Sequence, residues 1–286
     1  MVRRLKKDVL TQLPQKRRQQ VFLPATPAEM KQLKGMHGEM EKLREAMHAQ
    51  GSHGGGGDAA SLFSDQKKKI NELYTKSGEI KCKAICDYVN VLLECDQKFI
   101  IFAYHKAVLD TVESLLRDKN AKFIRIDGTT PSHERSGLVK RFQEQEIVRA
   151  AVLSLKAANV GLTLTSASLV VMAEMFWNPG DLIQAEDRAH RIGQACSVNV
   201  HYLHMKGSID DIIWTMINKK LDTLGQCLNG MNDQRLEIEG GKERGKEKGK
   251  GKRASGSLGG GNEGQGEGSP GEGSAQALKQ TKLSFG

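Results

Sequence analysis

The sequence predicts an α/β domain over residues 96–230, in which helices cover both faces of a parallel sheet. Short apolar runs rich in β-branched residues alternate with amphipathic helical stretches in this part of the chain. The runs are apolar at consecutive positions rather than at every second position, which is typical of strands buried on both faces. The predicted strands are 99–103, 123–126, 148–154, 169–173 and 198–203, and the predicted helices are 105–117, 131–143, 179–190 and 208–224.

A helical region precedes this domain over residues 26–95. Thr26 and Pro27 suit the N-cap and the first position of a helix, and a Met-rich apolar stripe with helical spacing follows them. A Gly-rich tract at 51–57 interrupts the pattern, because such a tract is flexible and fits neither helix nor strand. A second helical pattern runs over 66–95.

Residues 231–286 have the composition of a disordered tail. They contain 15 of the 31 glycines and few apolar residues, so they cannot bury a core. Their formal charge is +2, from 10 basic and 8 acidic residues, whereas the whole chain carries +9. Most of the positive charge therefore lies on the part of the chain that can fold. A positive surface favours a polyanionic partner such as nucleic acid.

The composition excludes several classes of protein. No apolar run approaches the ~18 residues that a membrane span needs. The first twenty residues are basic and lack the apolar stretch of a signal peptide. The five cysteines are odd in number and form no Cys-x-x-Cys pair, which disfavours both a disulfide framework and a zinc site. We therefore expect a soluble intracellular protein with no metal site.

Four loops of the predicted α/β domain carry polar residues that suit phosphate. Three of them follow strands and combine hydroxyl, glycine and basic residues, which bind phosphate through side chains and through close approach of the backbone. The fourth precedes the last strand and holds two arginines three residues apart, on one side of a helix end. The four loops are 104–106, 127–132, 154–163 and 184–194.

The pair Arg188 and Arg191 has two interpretations. A guanidinium group stays charged and donates a planar fork of hydrogen bonds, so the pair suits stabilisation of a transferring phosphoryl group, an effect worth ~10³ to 10⁵ in rate. Alternatively, the pair ends a solvated helix in which Arg188 is paired with Glu186 or Asp187. Spacing alone favours the second interpretation, because surface ion pairs are common.

Four stretches together resemble the second RecA-like lobe of superfamily-two helicases, and specifically the Swi/Snf family of DNA-translocating ATPases. Residues 184–194, QAEDRAHRIGQ, are similar to the sixth motif of that family over all eleven positions. The other three stretches are 99–104, 126–135 and 153–165. Within the family, residues 157–163 and 173–180 are similar to the annealing-helicase branch. The resemblance covers about residues 2 to 230.

This resemblance implies a C-terminal helicase lobe over 96–230, which the chain enters through a basic inter-lobe connector over 1–25. The residues implied for the ATP cleft are Arg188 and Arg191, which would reach the γ-phosphate, with Gln184, Gly161 and Asp187. The residues implied as contacts to the phosphate backbone of DNA are Tyr104, His105, Thr129, Thr130, Ser154 and Lys156. Each of these last residues also has a simpler role open to it, since Tyr104 and His105 suit a helix start, and Thr129 and Thr130 suit a cap before a helix.

By the same resemblance, the protein is an ATP-dependent annealing helicase of the nucleus that acts on forked DNA and on single- to double-strand junctions. ATP and Mg²⁺ would be bound mainly by the first lobe. The Walker-type match Gly240 to Lys246 has Glu247 where a Ser or Thr would hold Mg²⁺, and no acidic box is present. We therefore expect this chain alone to hydrolyse no ATP.

Two other functions remain open beside this one. A catalytically inactive DNA-binding or regulatory module would share the same lobe. A Rossmann-like enzyme for small molecules is disfavoured, because no Gly-x-Gly-x-x-Gly follows the first predicted strand.

Residues 280–285 resemble part of a sliding-clamp-binding box. The Gln-x-x-Leu spacing is present, but Phe285 stands one position early and a second aromatic is missing. A disordered tail without this function is the alternative.

Overall fold

The computed structural model describes residues 13–50 and 57–229, with side chains throughout except at 48–50, 57–63, 158–160 and 224–229. Its centre is a six-stranded sheet in which every strand is parallel to its neighbours. The strands are β1 (Lys16–Phe22), β2 (Phe99–Ala103), β3 (Lys122–Ile126), β4 (Val148–Ser154), β5 (Leu169–Met172) and β6 (Val198–His204). Across the sheet they lie in the order β1-β6-β5-β2-β4-β3.

Six α-helices accompany the sheet within the described residues. They are α1 (Pro27–Gln50), α2 (Gly57–Glu94), α3 (Lys106–Asp118), α4 (Ser132–Glu144), α5 (Pro179–Ala189) and α6 (Ile209–Asn229), and a 3₁₀ helix spans Leu155–Val160. The predicted alternation of strands and helices in the α/β domain is confirmed. Most predicted ends lie within one or two residues of the observed ones.

The helices cover both faces of the sheet, because consecutive strand residues point to opposite sides. On one face, Ile100 of β2 belongs to an apolar cluster that includes Phe142 of α4 and residues of α5 and α6. On the other face, Phe99 belongs to a cluster that includes Ile85 of α2 and residues of α3. All four side chains are fully buried. The apolar runs of the sequence therefore supply two cores at once.

The helix α1 begins with the predicted cap. The Thr26 amide donates to Oε2 of Glu29 over 2.8 Å, and the Glu29 amide donates to Oγ1 of Thr26 over 3.3 Å. This reciprocal pair is a capping box, which satisfies two backbone donors at the helix start. Met40 and Leu33 of α1 are buried in opposite clusters, so this helix packs at the border of both cores.

The strand β1 is absent from the sequence prediction, which treats residues 1–25 as a connector. Its sequence, KRRQQVF, is mostly polar and lacks the apolar signal that marks the other strands. Backbone pairing makes it a strand nevertheless, because β1 pairs with β6 in register from Lys16 opposite Val198 to Phe22 opposite His204. The end of the connector is therefore an edge strand of the sheet.

Several predictions fall on residues that the structure does not describe. They are most of the connector (1–12), the glycines at 51–56, the tail at 231–286 and the clamp-like box at 280–285. The helix α2 already begins at Gly57, earlier than the pattern at 66–95 predicts. In the part of the chain that is described, no helix is long and apolar enough to span a membrane.

Candidate functional site

The helix α5 carries the predicted arginine stretch and starts at a well-formed cap. Oδ1 of Asn178 accepts from the Gly180 amide over 3.1 Å, and Pro179 occupies the first turn. The buried side of α5 packs in the core, with Glu186 among its buried residues. Gln184 is exposed and stands four residues before Arg188, so both lie on the same outer face.

Arg191 reaches the loop that follows β4. Its Nη1 donates to the carbonyl of Gly161 over 3.3 Å and to Oγ1 of Thr163 over 3.2 Å. Gly161 has φ of +65°, a left-handed conformation that favours glycine. The amide of Leu164 also donates to the Arg188 carbonyl over 2.9 Å. The structure therefore brings together Gly161 and both arginines.

Arg188 has an unusual environment for a guanidinium group. Burial lowers its pKa, the nearby charge of Arg191 lowers it further, and Asp187 partly opposes them. Among the described residues, its Nε is buried without a hydrogen-bond partner. A buried donor without an acceptor is costly, and two arginines close together repel each other. An anion that binds beside the two guanidinium groups would relieve their repulsion, so the pair suits a phosphate group.

Glu186 is fully buried and is bound by residues of β1 and β6. We call Glu186, Lys16, Arg18 and Tyr202 the Glu186 cluster. Oε2 of Glu186 lies 2.8 Å from Lys16 Nζ, Arg18 donates to both carboxylate oxygens over 2.7 Å, and the Tyr202 hydroxyl donates over 2.7 Å. The suggested ion pair of Arg188 with Glu186 is therefore wrong, because other residues occupy this carboxylate.

The charge of Glu186 is held strongly. Burial raises the pKa of this carboxyl group, but Arg18 and Lys16 outweigh that effect and lower it to about 2. Asp187, the next residue, lies 3.4 Å from Lys16 Nζ and is partly exposed. The predicted cleft residues Gln184 and Asp187 thus share α5 with Arg188, and Arg191 follows two residues after the helix ends.

The predicted DNA contacts form a row where three strands of the sheet end. The strands β2, β4 and β3 are neighbours in the sheet, and their carboxyl ends meet at one edge. Tyr104 and His105 follow β2, Lys156 follows β4, and Thr129 and Thr130 follow β3. Ser154 is the last residue of β4 and is 7% exposed. The structure therefore places all six predicted contacts at adjacent positions of the same edge.

Tyr104 lies at the β2 end of this row. Its ring stacks on Phe176, with centroids 4.5 Å apart, and Lys156 Nζ lies 4.9 Å from its centroid. Lys156 itself is exposed. An exposed cation beside an aromatic face is a common surface for nucleic acid.

His105 is engaged inside the protein. Its Nδ1 lies 2.6 Å from Oε1 of Glu174, and its Nε2 lies 3.2 Å from Oγ1 of Thr75. The amides of Tyr104 and His105 donate to Oε2 of Glu174 over 2.9 and 2.8 Å. A Cβ at Gly78 of α2 would stand 2.6 Å from Oε1 of Glu174, so only glycine fits there. The side chain of His105 thus orients the turn that presents Tyr104.

The buried carboxylate of Glu174 is charged. Burial raises the pKa of this group, but the hydrogen bonds and charge of His105, with the charge of Lys81, lower it below its usual value. Glu174 therefore fixes the start of α3 as a fully charged acceptor for two backbone amides.

The loop after β3 is organised by Asp127. Its Oδ1 accepts from the amide and hydroxyl of Thr129 over 2.8 and 2.6 Å, and its own amide donates to Oγ1 of Thr130 over 3.0 Å. Burial raises the pKa of Asp127, but Thr129 and Arg125 outweigh it and lower the value to about 2. Because Thr130 Oγ1 accepts here, its hydroxyl hydrogen is directed elsewhere and suits a phosphate oxygen.

Sequence reasoning assigned no role to Glu174, Lys16 and Arg18, and it named Glu186 only as a partner of Arg188. A usable signal existed for Glu174, which is a carboxylate directly after the apolar run of β5. The basic partners of Glu186, Lys16 and Arg18, lie 170 and 168 positions away along the chain, so local spacing carried no sign of them. Within the described residues, no group of three or more His, Cys, Asp or Glu side chains could hold a metal ion.

Comparison with known proteins agrees with this geometry. Residues 80–193 match the model of the helicase conserved C-terminal domain. The chain is 40% identical over 245 residues to the mouse (Mus musculus) DNA annealing helicase and endonuclease ZRANB3, a match that covers 85% of this chain and 22% of that protein. It is 44% identical over 228 residues to the SWI/SNF-related matrix-associated actin-dependent regulator of chromatin subfamily A-like protein 1 of Xenopus tropicalis, which covers 79% and 23%.

Among solved structures, the C-terminal part of the Fun30 ATPase domain has the same fold. The TM-score is 0.54 at 22% sequence identity, over 72% of this chain and 90% of that one. The chain spans less than a quarter of the length of the two curated relatives above. The matched domain includes β2 to β5, the carboxyl-edge row and both arginines, and the chain is therefore the helicase C-terminal, RecA-like lobe of the Swi/Snf family.

Proposed function

We propose that this chain is the second motor lobe of an ATP-dependent DNA annealing helicase, which acts on branched DNA during replication-fork repair in the nucleus. The observation that carries the proposal is the position of two neighbouring arginines, Arg188 and Arg191, which both contact the loop at residues 161–164. The names of the two relatives, a DNA annealing helicase (ZRANB3) and a SWI/SNF-related regulator of chromatin, support this class of activity.

In this proposal, Arg188 and Arg191 bind the γ-phosphate of ATP and stabilise the charge that develops as it is transferred. Gly161, Gln184 and Asp187 line the same cleft. The first lobe supplies the Walker loop and the acidic ligands of Mg²⁺, for which this chain has no matching sequence. Closing of the lobes on ATP, and opening after hydrolysis, then moves the lobes along DNA.

The carboxyl-edge row binds the phosphate backbone of one DNA strand. Thr129, Thr130 and Lys156 offer donors without reading bases, which suits a motor that steps along any sequence. Tyr104, whose ring lies 4.9 Å from Lys156 Nζ, His105 and Ser154 complete the row of proposed backbone contacts. The loop after β4 takes part in both groups, because it carries Lys156 and also the Gly161 carbonyl that binds Arg191.

The first prediction concerns the arginines. The purified chain should bind inorganic tripolyphosphate, and Arg188→Ala and Arg191→Ala should each weaken binding about 10- to 100-fold, because each removes charge-assisted hydrogen bonds. Isothermal titration calorimetry measures the affinity, and Arg149→Ala is the control, since Arg149 pairs with Asp96 at the start of β4. Equal binding by all four proteins would contradict the proposal.

The same preparation tests whether the lobe is complete. We expect no DNA-stimulated ATP hydrolysis by the chain alone, with Arg191→Ala as the control for contaminating activity. Hydrolysis that Arg191→Ala abolishes would show that this chain is sufficient, and would refute its role as half of a motor.

The second prediction concerns DNA. Lys156→Ala should weaken binding of a fluorescent forked DNA at every sequence, and should lower the slope of log affinity against log salt by about 1, because one phosphate contact is lost. Lys140→Ala is the matched control, since Lys140 is also exposed but lies on α4. Fluorescence anisotropy across a salt series gives both values, and an unchanged slope for Lys156→Ala would remove Lys156 from the interface.

The third prediction concerns the tail. If residues 280–285 form a clamp-binding segment, a labelled peptide of residues 274–286 should bind a sliding clamp, and Leu283→Ala should abolish that binding. Fluorescence titration measures it. No binding at high micromolar clamp would leave the tail without this partner.

A further inference from the structure

Residues 14–18 contact α5 and the residue that follows it at three places. The Pro14 carbonyl lies 2.8 Å from Nε2 of His190, and Lys16 and Arg18 bind Glu186. In addition, the Val198 amide donates to the Gln15 carbonyl over 2.9 Å. Residues 14–18 are therefore bound to the second half of α5 and to the loop behind it, not only to β6.

The Glu186 cluster makes these contacts of residues 14–18 rigid. The side chain of Glu186 is 0% exposed, while those of Lys16 and Arg18 are 15% and 19% exposed. Arg18 donates two parallel hydrogen bonds to the carboxylate, which fix direction as well as distance. A buried carboxylate cannot leave such partners without a large desolvation cost. The three residues therefore move as one unit.

The arginine pair is directly attached to this unit. Arg188 follows Glu186 by two residues on the same helix, and Arg191 follows by five. On the other side, the Leu164 amide and the Gly161 carbonyl bind Arg188 and Arg191. The main chain of Arg188 and the guanidinium group of Arg191 are thus bound by the loop after β4, and the chain joins both residues to the Glu186 cluster.

We propose that Lys16 and Arg18, acting through Glu186, are positioning residues for Arg188 and Arg191. A shift of the chain at residues 14–18 is then transmitted through α5 to the phosphate-binding arginines, so the entry segment of the lobe regulates its own phosphate site. The inference rests on the proposed function of the arginines, and it assigns a function to cations that do not themselves touch phosphate.

The test uses the 286-residue chain labelled with ¹⁵N, in which the Nε–H signals of Arg188 and Arg191 are assigned by single substitutions. The variants are Arg18→Gln, Lys16→Gln and Glu186→Gln, with Arg18→Lys as the conservative rescue. Arg17→Gln is the matched control, because Arg17 lies between Lys16 and Arg18 on β1 and hydrogen-bonds Gln15 instead. Each variant is recorded without ligand and during a titration with inorganic tripolyphosphate.

We expect the three variants that remove charge to shift both arginine signals without ligand, and to weaken tripolyphosphate binding about tenfold. Arg18→Lys keeps the charge but loses one of two hydrogen bonds, so it should restore most of the affinity. Arg17→Gln should match the parent chain. Should Glu186→Gln not fold, Arg18→Gln and Lys16→Gln carry the test, since both side chains lie near the surface.

Two results overturn the inference. One is unchanged arginine signals in Arg18→Gln and Lys16→Gln, and the other is an equal effect of Arg17→Gln, which would indicate only a general loss of stability. Failure of the proposed function looks different. In that case tripolyphosphate does not bind the parent chain, while the arginine signals still shift in the cluster variants.

Discussion

At the scale of single residues, the site depends on carboxylates that the protein keeps charged in its interior. Glu186, Glu174 and Asp127 are each buried or nearly so, and each has a lowered pKa because basic or hydroxyl groups surround it. None of them is proposed to touch ATP or DNA. These carboxylates position the segments that are proposed to bind ATP or DNA, namely the arginine helix, the turn at Tyr104 and the loop at Thr129.

The fourth prediction follows from the pKa of Glu186. Its value is about 2 in the folded protein against an ordinary 4.5, so the stabilisation it provides is complete above pH 4.5 and is lost as the pH falls towards 2. Glu186→Gln should lower the free energy of unfolding at pH 7. It should also reduce the slope of that free energy against pH below 4.5 by up to about 1.4 kcal/mol per pH unit.

Urea unfolding followed by circular dichroism at several pH values measures this slope. Glu144→Gln is the control, because Glu144 is exposed at the end of α4. A residual slope from Asp127, whose pKa is also about 2, is expected in every variant. The prediction fails if Glu186→Gln and Glu144→Gln give the same slope.

At the scale of elements, α2 is fastened to the sheet by a buried ion pair. Lys81 Nζ lies 2.8 Å from Oδ2 of Asp210, and the two side chains are 2% and 5% exposed. The same Nζ donates to the carbonyls of Ala173 and Leu203 over 3.3 Å. One lysine therefore joins α2 to the ends of β5 and β6 and to the start of α6.

The fifth prediction tests this fastening. Lys81→Met should lower the free energy of unfolding by about 3–5 kcal/mol, because it leaves the Asp210 carboxylate buried without its cation. Chemical denaturation measures the change. Lys83→Met is the matched control on the same helix, since Lys83 is exposed, and should change stability by less than about 0.5 kcal/mol. A similar effect of both substitutions would show that Lys81 contributes no more than a surface residue.

The elements also show what the sequence could predict. The ends of β2 and β4 were predicted at their observed positions, because nearly every residue in them is apolar and buried. The strand β1 was missed because its pairing with β6 and the contacts of Arg18 depend on residues far along the chain. His105 illustrates the same limit, since its partners Glu174 and Thr75 are distant in sequence and decide what its ring nitrogens do.

At the scale of the whole molecule, one sheet positions two groups of candidate site residues. The carboxyl edge of β2, β4 and β3 presents the row of polar side chains, while α5 and the loop into β6 carry the arginines, which contact the loop after β4. The sequence predicted the members of both groups from motifs. It did not predict that β1 extends the sheet beside β6.

The position of β1 has a consequence for how the chain is made. Lys16 pairs with Val198, so during synthesis at ~5 to 20 residues per second this strand waits roughly 10 to 40 s before its partner leaves the ribosome. An apolar strand exposed for that time would pair with other chains. The charges of Lys16, Arg17 and Arg18 protect it against aggregation. The polar residues that make β1 hard to predict from sequence thus also limit its aggregation before β6 is synthesised and the two strands pair.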